Sequence, residues 1–176
     1  MKRILISYAR YNGWANQKLI ECMLSLSKDD LQKAAISSYP GLLPTVLHLW
    51  NAEAIWWQRI KLAEHVELPG DSFRGEFPEA SALWLDQSRK ITEWVERSSS
   101  AVLEHVFEYR SSKKEYHKQA VCEALMHLFN HQSYHRGQLV TLLRQAGVTK
   151  IPNTDYIAFC RKNKSVVIND RVGHAI

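Results

Sequence analysis

The chain is poor in cysteine, with only Cys22, Cys122 and Cys160 in 176 residues, an odd number spread far apart. No Cys-x-x-Cys occurs, which argues against a thiolate zinc site and a disulfide framework and suits a reducing compartment. Proline and glycine are also scarce, 5 and 7, so long stretches run without the residues that interrupt helices. No apolar run approaches the roughly 18 residues of a membrane span, and residues 1–7 carry too short an apolar run for a signal peptide. A soluble, cytoplasmic protein without membrane contact is expected. Basic runs are missing too. Despite a formal charge of +5 and a pI near 9.1, the longest are the pairs Lys113-Lys114 and Arg161-Lys162. A nucleic-acid-binding face gathers its cations on one side; here acids are interspersed throughout, as on a solvated mixed-charge surface, and no nucleic-acid partner is expected.

What is present is helical rhythm. The length suits one domain spanning 1–176, able to bury about 70% of its unfolded surface without a disulfide or metal to hold it together. Asn12, Asn16, Leu19, Met23 and Leu26 recur at 4-3-4-3 spacing and predict a first helix over about residues 8–26. Pro40, Gly41 and Pro44 punctuate the chain before a second helix over about 43–63, with Pro44 in its first turn. On it, His48, Ala52, Ile55, Arg59 and Leu62 form one stripe, because the eleven residues from His48 to Arg59 make three turns plus about 20°. A loop of about fifteen residues follows, with Pro69, Gly70, Gly75 and Pro78, and a third helix over about 79–97. Residues 105–109 and 115–118 then alternate as a small β-hairpin would. A fourth helix spans about 121–146, stopped by Gly147, and residues 152–176 read as a tail. Four helices with opposing apolar stripes make an all-α four-helix bundle.

The fourth helix carries His127, His131 and His135 at successive intervals of four. Positions i and i+4 share a helix face about 6 Å apart along the axis, so two such imidazoles can converge on one ion. Three at i, i+4 and i+8 cannot, because the outer two are about 12 Å apart. One adjacent pair must be chosen. His131 and His135 lie in the polar run from Asn130 to Arg136, which is costly on an inward face unless partners meet it. His127, between Met126 and Leu128, suits a supporting or packing role behind that pair. His48 is the candidate third ligand, the only histidine on another clear helix; the competing reading is a core histidine satisfied within the bundle. His65, His105, His117 and His174 fall near helix ends, in the hairpin or in the tail, and read as surface residues.

These same residues resemble the DinB (DinB/YfiT-like) family. Tyr11-Asn12-Gly13-Trp14-Ala15-Asn16 is similar to its opening helix. His48-Leu49-Trp50-Asn51-Ala52-Glu53 through Trp57-Gln58-Arg59 resembles its His…Ala-Glu…Trp…Arg pattern. His127 through Gln138 is close to the family signature, and Thr154-Asp155-Tyr156 is similar to its usual ending. The resemblance implies a four-helix bundle, often a homodimer, holding one divalent transition-metal ion of the zinc or nickel type on His48, His131 and His135. Tyr134 departs from the pattern, since many members carry a further histidine there; it is not a ligand on this reading. The family name concerns damage-inducible expression, not a DNA-binding surface. Some relatives are transferases using low-molecular-weight thiols and others are called hydrolases.

The expected function is therefore a metal-dependent enzyme, a thiol-dependent transferase or a hydrolase, acting on a small molecule. Arg59 could anchor an anionic substrate or be tied in a structural ion pair, and Asn16 could line the pocket. Glu53, about 140° around the helix from His48, is a poor general base. A non-catalytic, dimeric metal-binding stress-response protein, with Trp56 or Trp57 on the dimer face, is the alternative from another class. A plain structural bundle is the third.

Overall fold

Leu5, Ala9, Asn12, Asn16, Leu19 and Met23 recur every three or four residues and are all buried, and this stripe defines the inner face of helix α1, Lys2–Met23. The structure, a computed structural model, describes residues 1–169, with side chains through residue 162; His174 lies outside that range. Three further long helices follow, α3 (Leu42–Ile60), α5 (Phe77–Arg97) and α7 (Val121–Gln145). The connections hold three short helices, α2 (Lys28–Gln32), α4 (Pro69–Ser72) and α6 (Ser100–Glu104), and the strands β1 (Val106–Arg110) and β2 (Tyr116–Ala120). The strands pair antiparallel with Val106 opposite Ala120 and Arg110 opposite Tyr116, one or two residues beyond the bounds expected from the alternation.

Each long helix packs against two others: α1 on α5 and α7, and α3 on the same two. Cross-helix partners give the directions. Asn16 meets Ser88 while Ala9 meets Thr92, so α1 and α5 are antiparallel. Tyr8 meets Phe129 and Asn12 meets Arg136, so α1 and α7 are parallel. His48 meets His135 and Trp56 meets His127, so α3 and α7 are antiparallel. Glu53 meets Ser88 and Trp57 meets Trp94, so α3 and α5 are parallel. The result is an up-down-down-up four-helix bundle whose first two long helices sit on a diagonal.

Two apolar clusters fill the interior. One gathers Leu5, Ile91, Val95, Leu125 and Phe129; the other gathers Leu19, Leu49, Trp84, Leu139 and Leu143. Between them lies a polar layer of Asn12, Asn16, Glu53, Ser88 and Arg136, all buried.

The tail expected after residue 152 holds a helix, α8 (Tyr156–Asn169). It packs on the outer face of α1: the Tyr156 ring stacks 4.5 Å from Tyr8, its hydroxyl pairs with Ser7 at 2.9 Å, and Phe159 lies 5.5 Å from Trp14. The first helix begins six residues earlier than its spacing suggested, and the polar break after it contains α2, whose Ser27 hydroxyl accepts the Asp30 amide at 3.2 Å.

A three-histidine centre opening on a cavity

One turn separates His131 from His135 on α7, and both rings point at His48 on the facing turn of α3. The His48 Nε2 lies 2.9 Å from His131 Nε2 and 3.1 Å from His135 Nε2, and one ligating nitrogen from each of the three falls within 4.8 Å of the others. Around a tetrahedral ion with bonds of 2.0–2.1 Å, such nitrogens would stand roughly 3.3 Å apart. The donor set fits. The His135 Nδ1–H donates to Gln138 Oε1 at 2.7 Å, and Gln138 Nε2 donates to Ser38 Oγ at 2.8 Å. That chain fixes the tautomer of His135 and leaves its Nε2 lone pair aimed at His48, an arrangement that two neutral imidazoles satisfy through a shared cation. Burial, followed by the neighbouring His135 and His131 charges, holds His48 down to about 4. Burial and the charges of His135 and His127 do the same for His131. Both are neutral near pH 7, the form that ligates metal.

Tyr39, from the segment before α3, stacks on the His48 ring at 4.0 Å and meets His135 edge-on at 5.7 Å. Its phenol is pushed up by burial and then by the negative charge of Asp71, so it keeps its proton. Asp71 is held by the Asn51 amide at 2.8 Å, and the same Asn51 accepts the Gly70 N–H at 2.6 Å. A side chain at Gly70 would strike the Leu47 carbonyl at 2.8 Å, so α4 can dock this closely only through glycine.

From this centre a cavity of about 510 Å³ runs along α3, a volume typical of small-molecule sites. Its walls include His48, Ala52, Ile55 and Arg59, the stripe expected from the spacing except for Leu62 beyond its end. His127 lines it too, 6.0 Å from the His131 ring and 5.0 Å from Trp56, so it is cavity wall without a hydrogen bond to either neighbouring histidine. Burial, then the charge of Arg59, lowers its pKa. Trp56 faces this cavity and Trp57 packs on Trp94, both partly buried within the chain and so only partly available to the dimer face expected of them. Arg59 makes no ion pair among the described residues; its guanidinium sits 4.9 Å from the Trp56 ring and 5.0 Å from Tyr109.

Asn16 is elsewhere. Its amide donates to Glu53 at 3.2 Å and its oxygen accepts from Arg136 at 2.9 Å, with Asn12 bridging the same two groups at 2.7 Å on each side. Spacing placed Asn16 on an inward face, and that face meets the core and not the cavity. Burial pushes Glu53 up to about 7, against hydrogen bonds from Ser88 and Asn12 and the charge of Arg136. Sequence reasoning did not find Arg136, Tyr39 or Asp71. Two asparagines on the apolar stripe of α1 were the available signal for a buried charged partner; the other two arrive from connections, which carry no periodicity.

The fold and this centre define a class, a helical bundle with three converging imidazoles at the end of an internal cavity. A sequence model of the DinB family matches residues 1–169, and the chain belongs to that family. Protein DinB of Bacillus subtilis is 27% identical over 155 residues, which cover 83% of this chain and 87% of that protein. Among solved structures, YfiT from Bacillus subtilis, described as a probable metal-dependent hydrolase with an unusual four-helix bundle topology, matches with a TM-score of 0.68 at 16% identity over 85% of this chain and 91% of its own. A DinB-like protein from Bacillus cereus matches with a TM-score of 0.65 at 19% identity, over 82% and 91%. At these identities the structural likeness carries the fold. Among the described residues, no helix is long and apolar enough to cross a membrane.

Proposed function

We propose that the protein is a metal-dependent enzyme of the hydrolase or thiol-transferase type, with one zinc or nickel ion held by His48, His131 and His135 and a small-molecule substrate in the adjoining cavity. The observation that carries this reading is the convergence of three ring nitrogens, with the His135 tautomer fixed from behind. The description of YfiT as a probable metal-dependent hydrolase supports it. Such an ion supplies Lewis acidity, enough to bring the deprotonation of a coordinated water or low-molecular-weight thiol toward neutral pH.

The chain's own groups have separate tasks. Gln138 orients His135. Tyr39 covers one face of His48 and keeps water from it. Asp71 is the carboxylate among the residues lining the cavity, positioned by Asn51, and is the group available there to take a proton from a bound reactant.

Metal analysis of the purified chain should find about one ion per molecule. His131→Ala should lose it while circular dichroism stays helical; full occupancy in that variant contradicts the ligand assignment. A panel of low-molecular-weight thiols with electrophiles, and of hydrolysable esters and amides, should then show turnover that requires the metal and falls in Asp71→Asn. Full metal occupancy without turnover on any arm would favour a non-catalytic metal-binding protein.

A further inference from the structure

Eleven residues along α3 from His48, the cavity ends at the guanidinium of Arg59, which meets no carboxylate among the described residues. Arg59 is half-buried; the fully buried guanidinium of Arg136 donates to two asparagines that lead to Glu53, and the surface Arg10 and Arg89 meet carboxylates. The side chain of Arg59 has neither an ion pair nor a hydrogen bond among the described residues, and its Nε is enclosed without a partner. Desolvating a charge without supplying a counter-charge is costly, and here the cost falls on a residue that lines the cavity. The rings of Trp56 and Tyr109, 4.9 and 5.0 Å away, hold the planar fork in place before any ligand arrives. A fork fixed in this way pairs best with the two oxygens of an oxyanion.

The cavity is also polarised. Its carboxylate, Asp71, lies toward Tyr39 and His48, close enough to raise the Tyr39 phenol; Arg59 stands at the other end beside Trp56. Eleven residues of helix rise about 16 Å, and an arginine side chain leans back toward its helix N-terminus, which brings the guanidinium to roughly 10 Å from the histidines. The wall between is mostly apolar, formed by Ala52, Ile55 and Trp56, with the His127 ring beside Trp56. We infer that the cavity takes a substrate with an apolar, ring-sized body and an oxyanion, carboxylate or phosphate, seated on Arg59, so that its other end reaches the three-histidine centre. The inference rests on the proposed reading of that centre as the place of reaction, but the anion seat is tested without it.

Calorimetric titration of the full chain with phenylacetate, its neutral analogue phenylacetamide and inorganic phosphate, at constant ionic strength, provides the test. Each titration is run on EDTA-treated and on zinc-loaded protein, because a metal ion can itself bind anions. The expected result is that phenylacetate or phosphate binds both forms, that phenylacetamide binds at least tenfold more weakly than phenylacetate, and that Arg59→Gln weakens the bound anion about tenfold in both forms. Arg59→Lys, which keeps the charge and loses the fork, should fall in between; it decides the question if Arg59→Gln loses helicity. Binding of phosphate alone assigns the seat to phosphoryl groups, and of phenylacetate alone to carboxylates. Equal affinity in wild type and both Arg59 variants, phenylacetamide binding as tightly as a phenylacetate that does bind, or no anion binding to the EDTA-treated chain overturns the inference. Anion binding that survives in a chain found to take no metal would leave the seat standing and remove the metal reading instead.

Discussion

His48 and His131 are neutral in the folded chain down to about pH 4, whereas in the unfolded chain each accepts a proton near pH 6.5. The unfolded state therefore binds more protons between those limits, and the stability these residues contribute is present above pH 6.5 and lost as pH falls toward 4. For the metal-free protein the loss should be on the order of 2 kcal/mol per histidine, after allowance for solvent at partly exposed rings. Urea denaturation at pH 7, 5.5 and 4.5 measures it, and His48→Gln should flatten the profile; a profile unchanged by that variant would contradict the pKa argument. Zinc affinity should fall over the same range, since protons compete for the same nitrogens. His127 behaves differently. It touches the His131 ring only at 6.0 Å, so His127→Ala should keep most of the metal, and complete loss of metal would mean that the other helical pair binds it. The meeting of His48, His131 and His135 could be read from the sequence, because an i, i+4 pair on one helix and a lone histidine in an apolar stretch of another leave few other ways to converge. Tyr39 and Asp71 could not, since the connections that carry them have no period from which a direction can be inferred.

Helix ends give a second, independent check. α7 closes with Gly147 at φ 87°, its N–H on the Arg144 carbonyl and the Val148 N–H on the Leu143 carbonyl, both at 3.0 Å. α3 closes in the same pattern through the Leu62 and Ala63 amides, but the left-handed position, φ 55°, is held by Leu62, which is 64% exposed. A branched side chain there is strained and gains little packing. Leu62→Gly should raise the unfolding free energy by about 0.5–1 kcal/mol and Gly147→Ala should lower it by about 1 kcal/mol, both read by urea denaturation. Gly147 was legible as a stop because glycine announces the left-handed residue; Leu62 could not be, and the second helix was accordingly expected to run three residues too far. α8 was missed for a related reason. Within its described side chains only Tyr156, Ile157, Ala158, Phe159 and Cys160 are apolar, a bunched run without helical spacing, and the surface that orders it is the aromatic face of α1.

Across the whole molecule, the core is divided by its polar layer. Glu53 and Arg136 are linked through the side-chain amides of Asn12 and Asn16, each amide turning its oxygen to the guanidinium and its N–H to the Glu53 carboxyl. The layer lies level with the three-histidine centre, because Arg136 directly follows His135, and it holds α1, α3, α5 and α7 in one register. Arg136→Ala should therefore cost about 3–5 kcal/mol, by leaving a buried carboxylate and two amide oxygens unmatched. Replacing both Arg136 and Glu53 by methionine should cost less than Arg136→Met alone, a non-additivity that a double-mutant cycle with the two single methionine variants reads directly. Patterning alone showed four amphipathic helices but not their up-down-down-up order, which follows from contacts between residues far apart in the chain. A crystal of the zinc-loaded protein measured across the zinc absorption edge tests most directly whether His48, His131 and His135 hold an ion. A single anomalous peak about 2.0–2.1 Å from the Nε2 atoms of His48, His131 and His135 is the predicted result; a loaded protein whose only peak lies away from those three rings would contradict it.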